Sequence, residues 1–337
     1  MAATIHDVAR LAQVAISTVS KVMSDSPRIS AATKARVQEA MRALDYHPNR
    51  NARGLARNKT ETFGVLMPLE RHCAFRNPYV FEILCGIENL CSQQGYSVTL
   101  LNTLQWSHSK AAIKRLIAEQ QVDGFILHAT PEAPLLIKML TEQQLPFVVL
   151  GQLTSHDKHS WVDINNRHAG QMATDHLLAQ GFRRLQFVGS HPDDTITRQR
   201  ELGFHLALSE QQLAPCAATL YAGDSSTASG RACWPRIAVQ SQRPDALVVS
   251  SSHLAAGLMS QAQAAGIQIG PELGLITFDN YPIAEHTTPA LSVVDIDLFE
   301  LGAQAARALF EQLANSQHRV QSLLLNVTLT PRASSQR

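Results

Sequence analysis

The sequence predicts an α/β protein in which a small all-α head precedes a large, two-lobed α/β core. Three observations carry this. Residues 1–59 are basic and helix-periodic, short apolar strands alternate with amphipathic helices from Thr62 onward, and strand-like runs return late, at 292–297 and 323–329. The 337 residues suffice for about two domains at roughly 150 residues each. Hydrophobic residues at 45% and charged residues at 17% exclude both a disordered chain and a polytopic membrane protein.

The net charge of +1 conceals an asymmetry. Residues 1–59 hold ten Lys/Arg against four Asp/Glu, giving +6, and the remainder carries −5. A basic head on a mildly acidic body is the electrostatic layout of a nucleic-acid reader attached to something else, although a merely solvated basic surface gives the same count. The five cysteines contain no Cys-x-x-Cys pair, so neither a disulfide framework nor a zinc cage is expected, and a reducing cytosol fits. Asp7 and Arg10 interrupt what a signal peptide needs to keep apolar. The longest run without Lys, Arg, Asp or Glu, 246–271, is broken by serines, glutamines and glycines and reads as a buried strand followed by a helix.

In the head, Thr4 with Asp7 three residues later forms an Asp-containing capping box, and Ile5, Val8, Ala9 and Ala12 then fall at helical spacing. Residues 14–16 read as a turn. In 17–23, Val19, Val22 and Met23 face inward while Ser17, Thr18, Ser20 and Lys21 face out, a surface suited to phosphates and base edges. Ser30 caps a third helix over 31–44, whose Val37, Met41 and Leu44 complete a small core. Two helices joined by so short a turn make a helix-turn-helix whose second helix fits a DNA major groove, with a plain three-helix subdomain as the alternative. After His47-Pro48, the stretch 49–57 is short, basic and broken by Gly54. Glycine inside a helix costs about 1 kcal/mol relative to Ala, so this stretch is expected to fray when free; a flexible linker is the other reading.

The segments T-I-H-D-V-A-R-L-A-Q-V-A-I-S-T-V-S-K-V (4–22), R-I-S-A-A-T-K-A-R-V (28–37) and L-D-Y-H-P-N-R-N-A-R-G-L-A (44–56) resemble the DNA-binding head of the lactose-repressor (LacI/GalR) family. The resemblance implies that Ile16, Ser17 and Lys21 sit on the base-reading side, with Thr4, Thr18, Ser20, Arg28, Tyr46 and Asn49 near the DNA backbone. It also implies a hinge helix that orders on DNA, carrying Arg50, Ala52 and Arg53, with Leu55 of each of two subunits wedged into the minor groove. Ala15 departs from the serine that members of this family often carry, which removes one phosphate-binding hydroxyl. A lone hydroxyl at Ser17 gives modest base discrimination, because it cannot make the bidentate pairs of Arg or Asn.

Strands are expected at 63–68, 96–102, 123–128, 146–151, 185–190, 246–251 and 273–279, with helices at 80–94, 169–180, 199–212 and 253–265 among those between them. Parallel sheets follow, with ligands beyond the strand carboxyl ends. D-G-F-I-L (123–127), D-H-L-L-A-Q-G (175–181), R-E-L-G-F (200–204), F-D-N (278–280) and P-A-L-S-V-V (289–294) resemble the periplasmic-binding-protein-like core that the same family carries. No G-x-G-x-x-G, P-loop, His-Glu-x-x-His or Gly-x-Ser-x-Gly is present. No catalytic residue, cofactor or metal is therefore predicted, and His156 with His159 reads as a polar loop.

For a ligand, Asp279 at a strand end and Arg200, placed at the start of a helix after the loop 193–197, are the chosen pair. The carboxylate accepts from hydroxyls and the guanidinium fork binds oxygens bidentately; a purely structural ion pair is the alternative. The family's R-x-x-G-F and F-D-[DN] motifs imply effector contacts there, and N-P-Y-V (77–80) implies that Pro78, Tyr79 and Val80 line the pocket. Ser251 and Ser252 stand where sugar-responsive members commonly carry Asn-Asp. Arg76 and Arg198 are candidate anion contacts or solvated surface arginines.

The resulting expectation is a homodimeric, cytoplasmic, sequence-specific transcriptional regulator, a repressor by preference. A sugar or sugar acid bound between the core lobes controls it, and its partners are operator DNA, the effector and a second copy, with no membrane. The domains are a head over 1–47, a hinge over 48–60 and a core over 61–337. The alternatives are a ligand-binding receptor whose head contacts a protein, and a regulator responding to purines or sugar phosphates.

Overall fold

A computed structural model of the chain describes residues 3–23, 26–46, 59–69, 78–130, 132–153, 159–315 and 320–337. The chain forms two compact units, 1–71 with 88–148 and 306–319, and 72–87 with 149–305 and 320–337.

The first unit opens with α1 (Ile5–Leu11), α2 (Ile16–Met23) and α3 (Ala31–Ala43). The expected capping box is present: the Thr4 N–H donates to Asp7 Oδ2 at 3.0 Å, and the Asp7 N–H donates back to Thr4 Oγ1 at 3.4 Å. The Thr4 hydroxyl also donates to Asp7 Oδ2 at 2.7 Å, and these bonds hold the Asp7 carboxyl below its usual range. Ser30 caps α3 by accepting from the Thr33 N–H at 3.3 Å. Val8, Val19 and Val37 are fully buried at the centre of the head, with Met41, Leu44 and Tyr46 packed on its edge. Ile16 departs from the expected turn. It is the first residue of α2, because the Ala15 carbonyl already accepts from the N–H groups of Thr18 and Val19. Thr4→Ala is expected to cost about 1 kcal/mol, read as faster amide exchange in α1; unchanged exchange would refute the cap.

Twelve strands are described: β1 (Thr62–Met67), β2 (Ser97–Asn102), β3 (Gly124–His128), β4 (Phe147–Leu150), β5 (Ser160–Ile164), β6 (Leu185–Gly189), β7 (Leu220–Tyr221), β8 (Ala246–Val249), β9 (Gly274–Phe278), β10 (Ser292–Asp295), β11 (Ser322–Leu325) and β12 (Thr328–Thr330). They form two six-stranded sheets, ordered β11-β5-β4-β3-β1-β2 and β12-β10-β9-β8-β6-β7. Each sheet follows one pattern in chain order, second, first, third, fourth, fifth, then a late strand from the C-terminal stretch. This is the doubly wound order in which ligands sit beyond the carboxyl ends of the strands. β12 joins β10 antiparallel, whereas β1 with β3, β6 with β8 and β8 with β9 are parallel.

A matching device begins each sheet. Asp123, just before β3, accepts from the N–H groups of Thr60 and Glu61 ahead of β1, at 2.6 and 3.0 Å. Asp245, just before β8, accepts from the N–H groups of Arg183 and Arg184 ahead of β6, at 3.1 and 2.8 Å. In both, a carboxylate takes up donors that the parallel ladder leaves open at its edge.

Two strands escaped the sequence reading. β5 carries Asp163 within its W-V-D-I stretch, which interrupts the apolar run, and β7 has only two residues. The single run expected at 323–329 is two strands that part at Asn326-Val327, with β11 on β5 and β12 on β10.

Helices α4 (Tyr79–Gln93), α5 (Trp106–Ala118), α6 (Ala133–Glu142), α7 (Asn166–Ala179), α8 (Thr195–Glu210), α9 (Thr227–Ala238), α10 (Ser252–Ala264), α11 (Pro282–His286) and α12 (Leu298–Ala314) complete the order. In the first unit Phe63 packs on Tyr96 and Phe310, with ring centroids 4.8 and 4.7 Å apart. In the second, α7 and α8 approach so closely that a Cβ on Gly170 would lie 1.9 Å from the Arg200 carbonyl oxygen, and one on Gly203 would lie 1.9 Å from the Arg167 carbonyl oxygen. Among the described residues no helix is long and apolar enough to cross a membrane.

Candidate functional site

The head presents one face of α2 to solvent. Ile16, Ser17, Ser20 and Lys21 are exposed and Thr18 is half-buried, while Val19 and Val22 anchor the opposite face in the head core. Arg28 is exposed in the turn ahead of α3. Thr4 is engaged with Asp7, and Tyr46 packs on the head core. Asn49, Arg50, Ala52, Arg53 and Leu55 lie outside the described residues, as do Arg76 and His156.

The second unit brings together the residues chosen for a ligand. Arg200 does not begin its helix as expected. α8 starts at Thr195, capped by Asp194, whose carboxylate accepts from the Thr197 N–H at 3.1 Å, and this carries Arg200 into the second turn, where it is 4% exposed. Each nitrogen of its guanidinium donates one hydrogen bond: Nη2 to Asp279 Oδ1 at 3.3 Å, Nε to Asn166 Oδ1 at 3.0 Å, and Nη1 to the Ser250 carbonyl at 2.7 Å. Its Cζ lies 4.2 Å from the centroid of the Phe278 ring. Asp279 follows β9 with φ of 66°, a left-handed conformation that Asp and Asn tolerate better than other non-glycine residues. The pair therefore sits at the carboxyl ends of β8 and β9, where the strand order predicts a ligand.

Burial raises the Asp279 carboxyl against the opposing pull of Arg200. Asp163, on the unforeseen strand β5, is pushed up to about 6 by burial, even though it accepts from the Gln152 and Ile164 N–H groups at 3.1 and 2.7 Å. Burial, then the charges of Asp163 and Asp279, also raise the Tyr79 phenol, which places Tyr79 in the same electrostatic neighbourhood. Ser251 caps α10 by accepting from the Leu254 N–H at 3.2 Å, so its hydroxyl is already committed to the fold. Val80 is half-buried in the first turn of α4, and Arg198 is exposed. Asn166, Asp163 and Tyr281 were missed in sequence. An Asn at a helix start reads as a cap, and Asp163 sat in a strand whose pattern its own charge disrupted.

The Asp163 shift has a definite sign. The folded carboxyl titrates near 6 and the unfolded one near 3.8, so its burial penalty is absent below about pH 4 and complete above about pH 6. Asp163→Asn is therefore expected to gain on the parent chain between pH 4 and 7.5 by roughly 2–3 kcal/mol in urea unfolding. A pH-independent difference between the two chains would refute it.

Beside the pair, within the second unit, lies a cavity of about 1140 Å3. Pro78, His253, Asn280 and Tyr281 are among its lining residues, whereas Tyr79, Val80, Arg200, Ser251 and Asp279 are not. The rings of His253 and Tyr281 lie 6.3 Å apart, and burial holds the His253 imidazole below its usual range. Among the described residues no group of three or more His, Cys, Asp or Glu is placed to hold a metal ion.

An exposed polar helix on a basic three-helix head, ahead of an α/β core with a ligand-sized cavity at its strand ends, defines a ligand-responsive DNA-binding regulator. Residues 4–49 match the bacterial regulatory proteins of the lacI family, and 174–335 match a periplasmic binding protein-like domain. The HTH-type transcriptional repressor PurR of Vibrio cholerae serotype O1 is 31% identical over 320 residues, covering 94% of this chain and 93% of that one. A solved transcriptional regulator, CelR in complex with cellobiose, is 26% identical with a TM-score of 0.74, covering 98% of this chain and 99% of that one. A Lac repressor dimer bound to operator and the anti-inducer ONPF shares the fold at 24% identity and a TM-score of 0.84, with 100% of each chain covered. The chain belongs to the LacI family and is a DNA-binding transcriptional regulator with an effector-binding core. Relatives of this kind are regulators rather than enzymes.

Proposed function

We propose that the chain is a cytoplasmic, homodimeric repressor whose grip on a pseudo-palindromic operator is set by a small hydroxyl-bearing effector. The effector binds at the Arg200–Asp279 pair and in the cavity beside it. The supporting observation is that pair, buried at the carboxyl ends of two parallel strands, with Asn280, the residue after Asp279, lining a ligand-sized space. In this reading Ile16, Ser17 and Lys21 read bases, while Thr4, Thr18, Ser20, Arg28, Tyr46 and Asn49 position the head on phosphates. Arg50, Ala52, Arg53 and Leu55 form the hinge contact with the minor groove. Residues 1–47 act as the head, 48–60 as the hinge and 61–337 as the core. Pro78, Tyr79, Val80, Ser251, Arg200 and Asp279 surround the effector, with Ser251 contributing through the end of α10 that it caps. Similar proteins crystallised with operator DNA and with cellobiose support a DNA partner and a sugar-like ligand.

The test is retention of genomic fragments by the purified chain across a salt series. Phosphate contacts release counterions, so specific retention is expected to fall steeply and linearly on a log–log plot. A chain that retains no fragment preferentially, with or without a pool of sugars, sugar acids and purines, would sink the reading.

A further inference from the structure

The stretch after β12 returns to the second sheet through Arg332. Its backbone is tied on both sides to Ser292, a fully buried residue of β10: the Arg332 N–H donates to Ser292 Oγ at 2.7 Å, and the Ser292 hydroxyl donates to the Arg332 carbonyl at 2.9 Å. Its side chain, 14% exposed, reaches three acceptors. Nη1 donates to the Leu291 carbonyl at 2.8 Å, and Nη2 donates to Asn280 Oδ1 at 2.8 Å and to Glu285 Oε1 at 2.9 Å. A guanidinium locked by so many neighbours keeps its place before any ligand arrives.

The consequence falls on Asn280, which follows Asp279 and lines the cavity, whereas Arg332 does not. A guanidinium only donates, so it must hold an amide by its carbonyl end, and a carboxylate only accepts, so it must meet the NH2 end. Asn280 lies between one of each, with Oδ1 on Arg332 and Nδ2 donating to Asp295 Oδ2 at 3.4 Å. Turning the amide over would set NH2 against a guanidinium and a carbonyl against a carboxylate, so one orientation survives. Asp295 also lines the cavity and is itself held by the Ile296 N–H, which donates to its Oδ1 at 2.8 Å. An amide nitrogen carries two protons and a carboxylate accepts at about four positions, so each has capacity beyond the bond between them.

We propose that Arg332 is a positioning residue of the effector site, a step that rests on the effector-site reading above. By fixing the Asn280 amide it makes this part of the cavity wall a donor beside an acceptor. The matching ligand group is a hydroxyl, which accepts from Asn280 Nδ2 and donates to Asp295. Without Arg332 nothing holds the carbonyl end of the amide, and the donor is no longer fixed in place.

The experiment uses the full chain, a retained genomic fragment and five probes: D-glucose, D-galactose, D-ribose, cellobiose and D-gluconate. Binding is followed by calorimetry and by change in fragment affinity, in the parent, Arg332→Met, Asn280→Ala and the double variant. Arg332→Met is expected to weaken the probe that the parent binds about tenfold, the equivalent of one hydrogen bond. In the Asn280→Ala background the same change is expected to cost less than about twofold, because the arginine acts only through the amide. Glu285→Gln is expected to bind as the parent does. Losses that multiply in the double variant, or parental binding by Arg332→Met, overturn the proposal. If Arg332→Met does not fold, Asn280→Asp takes its place: it keeps a partner for Arg332 but turns the donor into an acceptor, and parental binding by that variant overturns the proposal equally. The side-chain amide signals of Asn280, located in NMR spectra by their loss in Asn280→Asp, give a readout without ligand. They are expected to shift in Arg332→Met and to hold in Glu285→Gln, and signals unmoved by Arg332→Met overturn the proposal. A parent chain that retains fragments but binds no probe fails the effector reading instead, and the amide signals still decide whether Arg332 holds Asn280.

Discussion

Arg200→Met is expected to lower the stability of the chain by about 3–5 kcal/mol at pH 7, because it strands the buried Asp279 carboxylate without its cation. The three hydrogen bonds of the guanidinium and its stacking on Phe278 disappear together. The decisive comparison is the double change Arg200→Met with Asp279→Asn. Asparagine suits the left-handed backbone at 279, where φ is 66°, and it removes the orphaned charge. The double variant is therefore expected to recover about 1–3 kcal/mol of the loss, the range found for residues in direct contact. Losses that simply add in urea unfolding would show that the pair is not energetically coupled.

Gly170→Ala is expected to be almost as damaging, although it removes nothing. The added methyl would fall 1.9 Å from the Arg200 carbonyl oxygen, a distance no packing tolerates, so α7 and α8 must separate. Overpacking of this kind costs about 1–3 kcal/mol. The displaced backbone is that of Arg200 itself, so the ligand response should weaken beyond what the stability loss explains. Gly203→Ala meets the Arg167 carbonyl oxygen at the same distance and is expected to behave alike. A Gly170→Ala chain with parental unfolding and parental ligand response would remove the helix contact from the account.

These two positions show how much the sequence disclosed. The head was legible nearly residue by residue, because capping and helical spacing are local. Thr4 with Asp7, Ser30, and the inward Val19 and Val22 are found where the pattern put them. Strand positions in the core were legible from apolar runs, except where a charge fell inside a strand, as at Asp163, or where one run served two sheets, as at Asn326-Val327. Arg200 and Asp279 were both named as site residues, but their mutual bond, the depth of Arg200 in α8 and the support from Asn166 depend on packing between distant segments. No spacing rule encodes that packing.

The central claim is that the Arg200–Asp279 site governs the DNA-binding head. It is tested most directly by measuring affinity for the retained genomic fragment, with and without a ligand that binds the parent chain, in that chain and in Asp279→Asn. The parent is expected to change its DNA affinity by about 5- to 150-fold on ligand addition, the usual range for coupling of about 1–3 kcal/mol. Asp279→Asn is expected to bind the fragment as the parent does without ligand and to show no response. A full response in Asp279→Asn would contradict the account.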